Sequence, residues 1–298
     1  MAQPAPTTSE PGQGAGPTGR KLEDVPGWFW PIDQQLFGWL LDRQSDLGIT
    51  GDLLELGPYL GRSAILIGWH VRPGETFTVV DIFEDEAPDA SNTNEVARSY
   101  GTRLTRARFE TNYLDFHAQL PVIIQAPTGD LADGRIPAGS CRFVHIDASH
   151  LYDHVVVDAQ VAKAALGPSG VVVFDDYRQP HTPGVAAAAW GAVLNLGLNL
   201  ICSTDQKLYG TWGSPTTIQD DLLKLDGDRG KCQMDIESVA GQRLIRLSGP
   251  GVAGLMPESV DDPPAAARRR GRARRLAVDL LPPVLTRAIR RARMTARA

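Results

Sequence analysis

With 298 residues, 42% of them hydrophobic, the chain can bury one substantial core and at most two small ones. Its three cysteines, Cys141, Cys202 and Cys232, are widely spaced and form no CxxC pair, which argues against a disulfide framework or a cysteine zinc site and for a reducing cytoplasm. The net charge of −5 hides an asymmetry: residues 263–298 hold eleven Arg and one Asp, net +10, leaving 19 basic against 34 acidic residues elsewhere, net −15. A body that acidic speaks against a nucleic-acid substrate in its main cleft, which would need a positive track. No run of eighteen apolar residues and no apolar N-terminal h-region is present, so neither a membrane span nor a signal peptide is expected.

Residues 1–25 are low in complexity and are expected to be disordered, with structure beginning at Pro26 and anchored by Trp28, Phe29 and Trp30. Leu36, Phe37, Leu40 and Leu41 fall at helical spacing, which predicts an amphipathic helix over Asp33–Leu47. Asp52–Leu56 reads as a buried strand, followed by Gly57-Pro58-Tyr59-Leu60-Gly61-Arg62-Ser63 and a helix to about His70. A strand, a glycine turn and a helix open a nucleotide-binding sheet. Pro58 and Tyr59 replace the middle of a G-x-G-x-x-G fingerprint, so the loop suits a nucleoside ligand without pyrophosphate, such as S-adenosylmethionine (SAM). Ser63 and the amides at the helix start could hold its carboxylate. A plain packing turn would leave the same pattern. The next strand, Thr76–Val80, ends in Asp81, where such sheets grip a ribose diol, for SAM and nicotinamide cofactors alike.

Residues 83–120 read less clearly, with a helix over Glu95–Leu104 and the length of a lid or substrate loop. Tyr59, Asn112 and Tyr113 are candidate acceptor contacts. Pro121–Gln125 makes a third strand, and Asp130 just beyond it is an adenine contact or a turn residue.

The stretch Arg142–Tyr177 is a strand, helix, strand unit: apolar runs at Phe143–Asp147 and Val171–Asp176 flank a helix over Asp153–Leu166 and a Gly-Pro-Ser-Gly turn. Ligands of such units sit beyond the carboxyl ends of the strands. If the two strands are neighbours, Asp147, Asp175 and Asp176 converge, and like charges that close call for a cation, most simply Mg²⁺. Capping of the following helix and turn by these aspartates is the alternative. His145, inside the strand, reads as a packing residue and His181 as a loop residue. Thr182 and Pro183 look like N-cap and N1 of a helix reaching Asn195. Leu198–Ser203 and Lys207–Trp212 form an expected antiparallel pair, Gln219–Asp228 is polar, and Gln242–Leu247 alternates like an edge strand.

The segments ELGPYLGRS, VVDIF and HIDASHLYDHVVVDAQVAKAALGPSGVVVFDDY together resemble the class I SAM-dependent methyltransferases over roughly Gly51 to Trp212. More narrowly they are similar to the metal-dependent O-methyltransferases, which include catechol methyltransferases and actinobacterial macrolide-sugar methyltransferases. The resemblance implies an α/β fold with a single Rossmann-like doubly wound sheet, mostly parallel with an antiparallel last strand. It implies SAM held by residues among Glu55, Gly57, Tyr59, Gly61, Ser63, Asp81, Asp130 and Asp147, and Mg²⁺ held by Asp147, Asp175 and Asp176. It also places the proton acceptor at His150, where the catechol-type members carry Lys, and so leans toward a carbohydrate hydroxyl as acceptor. The chemistry agrees: a divalent ion stabilises a developing alkoxide and an imidazole removes its proton.

The expected organisation is a methyltransferase domain over residues 26–250 and a flexible Arg-rich tail over 251–298. In the tail, Val284–Arg293 patterns as a short basic amphipathic helix, suited to the inner face of an anionic membrane, to acidic partners, or to a solubilising role. The acceptor is a small molecule or glycan, and the oligomeric state is open, a homodimer included. A catechol or phenol acceptor, a SAM-binding regulator without turnover, and a nicotinamide-dependent reductase are the competing readings, the last disfavoured by the missing fingerprint.

Overall fold

Short apolar runs alternating with helical segments give the chain a sheet that must be covered on both faces. The computed structural model describes residues 19–225, 232–249 and 251. Within them lie α1 (Pro31–Asp46), β1 (Asp52–Leu56), α2 (Arg62–Gly68), β2 (Phe77–Asp81), α3 (Ala90–Ser99), α4 (Arg106–Leu114), β3 (Val122–Gln125), β4 (Cys141–Ile146), α5 (Tyr152–Ala165), β5 (Leu166–Phe174), α6 (Pro183–Asn195), β6 (Asn199–Ser203), β7 (Leu208–Thr211), α7 (Thr216–Leu223), β8 (Gln233–Val239) and β9 (Gln242–Ser248).

The strands form one sheet in the order β3-β2-β1-β4-β5-β7-β6-β9-β8. The first five are parallel, and β7 runs antiparallel to both β5 and β6. Period-two alternation splits the core. Leu53, Phe143, Val171, Val173 and Tyr209 face α1, α2 and α4, whereas Leu54, Val144, Val172 and Leu200 face α5 and α6. From β1 the chain winds toward β3, then returns to lay β4 on the other side of β1. That reversal opens a crevice at the carboxyl ends of β1 and β4.

The α/β doubly wound sheet is as expected, including the antiparallel strand, but it is wider. Gln242–Ser248 is not the edge: it pairs with β6 and is covered by β8, joined through a turn in which Ala240 and Gly241 both have positive φ (52° and 76°). Such a turn matches the twist of a hairpin. Structure also starts before Pro26. Leu22 and Val25 are buried, and Arg20 pairs with Asp115 at 2.7 Å, so the segment 19–25 packs against the domain. The remaining expected disorder (1–18), most of the Arg-rich tail and its amphipathic helix lie outside the described residues. No helix among the described residues is long and apolar enough to cross a membrane.

At the end of the sheet opposite the crevice, Arg142 is 1% exposed and donates from Nε and Nη2 to both oxygens of Glu75, each at 2.9 Å, with Gln44 and the His70 carbonyl completing its shell. Burial works against the Glu75 carboxylate, but the hydrogen bonds from Arg142 and Arg72 outweigh it and hold its pKa down at about 2. A carboxyl lowered on folding stabilises the protein above its unfolded value and loses that contribution as pH falls through the folded one. Glu75→Gln, which strands a buried guanidinium, is expected to cost about 3–5 kcal/mol near neutral pH. Thermal unfolding of wild type and variant should converge as pH drops from 6 toward 2.

Candidate functional site

The site lies at the crevice. Past the ends of the strands the ladder continues: Gly57 N–H donates to the Val80 carbonyl, Asp147 N–H to Leu56, and Asp175 N–H to Ile146, at 2.8, 2.8 and 3.0 Å. A Cβ on Gly57 would lie 2.2 Å from the Asp147 carbonyl oxygen, and its φ of 82° is one that side chains avoid. Glycine is required there because β1 and β4 approach each other, not because a pyrophosphate does. Tyr59 and Asp176 also have positive φ (50° and 53°), strain of the kind that collects at functional sites.

A cavity opens beside Gly57, lined among others by Tyr59, Asp81, Asp130, Asp147 and His154. Asn92, Glu95 and Val96 of α3 line it as well, with Tyr100 just beyond the helix. Asp81 accepts from Phe83 N–H at 2.7 Å, and burial raises its pKa to about 6. Tyr59 stacks on Trp28 with centroids 5.5 Å apart and meets Tyr100 at a 40° tilt, 5.3 Å away.

Next to the cavity the three acids meet, and two overlapping sets of donor atoms share Asp147. His145, Asp147 and Asp175 form one, Asp147, His150 and Asp176 the other, each within 4.8 Å. The second set is half-buried and open. His150 is clamped there: its Nδ1 lies 3.0 Å from Glu95 Oε1 and its Nε2 3.2 Å from Asp176 Oδ2. Glu95 also accepts from the His150 amide and the Ser149 hydroxyl, at 2.7 and 2.8 Å. Burial disfavours charge on His150, but Asp176 and Glu95 overcome it and push its pKa to about 10. Asp147 is raised by burial and then by Asp175.

The first set is sealed. Lys207, 1% exposed, donates to Asp175 Oδ2 and lies 3.1 Å from His145 Nε2, while His145 Nδ1 meets Glu55 Oε1 at 2.8 Å.

A family described as a methyltransferase domain matches residues 54–177, the span from β1 to just past Asp175 and Asp176. The chain carries a methyltransferase domain. The solved O-methyltransferase NovP is similar at a TM-score of 0.50 and 18% identity, over 61% of this chain and 79% of NovP. The calicheamicin methyltransferase CalS11 matches at 0.45 and 19% (60% and 79% covered), and a Corynebacterium glutamicum protein at 0.45 and 15% (64% and 84%). No curated protein sequence matches the chain.

Of the residues expected to bind cofactor, Gly57, Tyr59, Asp81, Asp130 and Asp147 line the methyltransferase cavity. Glu55, Gly61 and Ser63 do not. Side chains alternate along β1, so Glu55 points beneath the sheet, where it is fully buried with Ser63 beside it and its pKa rises to about 8, mainly by burial. Gly61 backs onto the Phe109 ring. Asn112 and Tyr113 are likewise buried, Asn112 holding the Leu60 carbonyl at 2.9 Å. Thr182 precedes α6 as expected but makes no cap bond; its hydroxyl donates to the Asp176 carbonyl at 2.7 Å. Sequence reasoning missed Glu95, His154 and Lys207. The Asp89 side chain caps α3, accepting from Ser91 and Asn92 amides, and that Asp-x-Ser-Asn start was the available signal for Glu95.

For the metal-free methyltransferase, nuclear magnetic resonance of the imidazole nitrogens should show His150 protonated through pH 8, with Glu95→Gln lowering its pKa. A histidine raised on folding contributes stability below its unfolded pKa, loses it as pH climbs through the folded one, and so marks a window from about 6.5 to about 10.

Proposed function

We propose that the chain is a SAM- and Mg²⁺-dependent O-methyltransferase that acts on a hydroxyl of a sugar or small glycan, with His150 as general base. The observation that carries this reading is the junction of a nucleoside-sized cavity, lined by Gly57 and Asp81, with an open cluster of Asp147, His150 and Asp176. Asp81 at the tip of β2 suits a ribose diol, and Asp130 and His154, which line the same cavity, suit a base. An all-oxygen pair, Asp147 and Asp176, suits a hard divalent cation. When bound, that ion supplies the positive charge that Asp176 otherwise draws from His150, and it stabilises a developing alkoxide.

The residues of the chain do the rest. Glu95 fixes the His150 ring through Nδ1 and leaves Nε2 facing the acid rim as the atom that takes the hydroxyl proton. The α3 residues that line the cavity keep water from the donor. A vicinal diol offers two oxygens to one cation, and a histidine in place of the lysine of catechol-type enzymes supports a carbohydrate over a phenol.

A screen of sugars, glycolipids and catechols with radiolabelled SAM is expected to label a sugar hydroxyl, with loss of label in EDTA and recovery on adding Mg²⁺. Labelling of catechols alone would sink the carbohydrate assignment. His150→Ala should lower kcat by roughly 10²- to 10⁴-fold with calorimetric SAM affinity unchanged. Asp81→Ala should instead weaken SAM binding by about tenfold or more, the loss of a charge-assisted hydrogen bond to a ribose diol. NAD should bind neither protein.

A further inference from the structure

We propose that Lys207 is a resident cation of the acid rim: its ammonium fills the inner donor set and withdraws Asp175 from it, so that an exchangeable divalent ion is held by Asp147 and Asp176 alone. The proposal rests on the metal-dependent reading above and changes its ligand set.

Both oxygens of Asp175 are engaged by the protein. Oδ2 accepts from Lys207 Nζ, and Oδ1 accepts from the Asp176 amide at 2.7 Å. The ammonium also lies 3.1 Å from His145 Nε2, among the atoms of His145, Asp147 and Asp175 that could otherwise gather around a metal. An ion in that inner set would have to displace a lysine that has nowhere else to go. Its own amide donates to Thr204 Oγ1 at 2.9 Å, its carbonyl accepts from the Thr204 amide at 2.9 Å, and its ammonium sits over the Phe29 and Phe37 rings at 5.5 and 5.7 Å. Thr204 and Tyr209 then donate to Asp33, at 2.9 and 2.7 Å, closing the back of the pocket.

Charge bookkeeping agrees. Burial of an ammonium or a carboxylate without a partner is prohibitive, and each answers the other. Lys207 and Asp175, both buried, face each other directly as an ion pair. The half-buried set remains, with two carboxylates and the clamped imidazole, and an ion there would complete its shell with water and substrate oxygens.

Mn²⁺ titrated into purified full-length variants and followed by electron paramagnetic resonance tests the ligand set without turnover. Asp147→Asn and Asp176→Asn are expected to weaken Mn²⁺ binding by about tenfold or more, as loss of a charged ligand does. Because Asp175→Asn alone strands a buried ammonium, the informative variant is the neutral pair Lys207→Met with Asp175→Asn, checked for folding by circular dichroism. Its Mn²⁺ affinity should stay within about threefold of wild type, since ligand charge count sets affinity and no ligand is removed. A loss in this double variant as large as that of Asp147→Asn would overturn the proposal, because Asp175 would then be a ligand. Failure of wild type to bind Mn²⁺ at all would overturn the metal reading itself, and the proposal with it, and is told apart from the first outcome by the wild-type titration alone.

Discussion

Carboxylates at the buried ends of two adjacent strands repel one another, and the region around the crevice is arranged to answer that repulsion. Asp147 and Asp175 are next to each other because Ile146 and Phe174 are paired in register. Asp176 follows at once. Two positive groups meet them: Lys207, which precedes β7 and comes from outside the strand, helix, strand unit, and His150, from the loop after β4 within it. Glu95 balances His150 in turn. The result is a chain of alternating charge running from the sheet interior to the mouth of the cavity, in which each ionised group faces a counter-charge.

That chain explains why several strands carry polar residues on an otherwise apolar face. Glu55 on β1, His145 on β4 and Tyr209 on β7 share the side of the sheet covered by α1, where Leu53, Phe143 and Val173 are their apolar neighbours. In a core this dry, Glu55 is held toward its neutral form by burial and His145 toward its neutral form as well, so the buried charge is concentrated in Lys207 and Asp175. The polar layer therefore costs little net charge while fixing the direction of the Asp175 side chain.

Much of the fold was legible because it rests on local signals: apolar runs of strand length, glycines at turns, and Pro183 at the first turn of α6. The acid rim was legible for the same reason, since two strands joined by one crossover helix are usually neighbours. What escaped were groups brought in from far along the chain. Lys207 follows Asp175 by 32 positions and sits in a hairpin with no motif of its own. Glu95 precedes His150 by 55 and stood at the start of a helix read in an otherwise unclear segment, with no local motif tying it to the acids. Glu55 was assigned to the cavity from its place in a motif, and strand alternation turns it the other way. The strand β8 was missed because most of its residues are exposed, leaving no apolar face to betray it.

The helix α3 has a double duty. Glu95 belongs to the segment that lines the cavity and is also the partner that orients His150. Any displacement of that segment would therefore change the enclosure of the cavity and the aim of the imidazole together. One short helix thus carries both part of the cavity's lining and the carboxylate that anchors the imidazole.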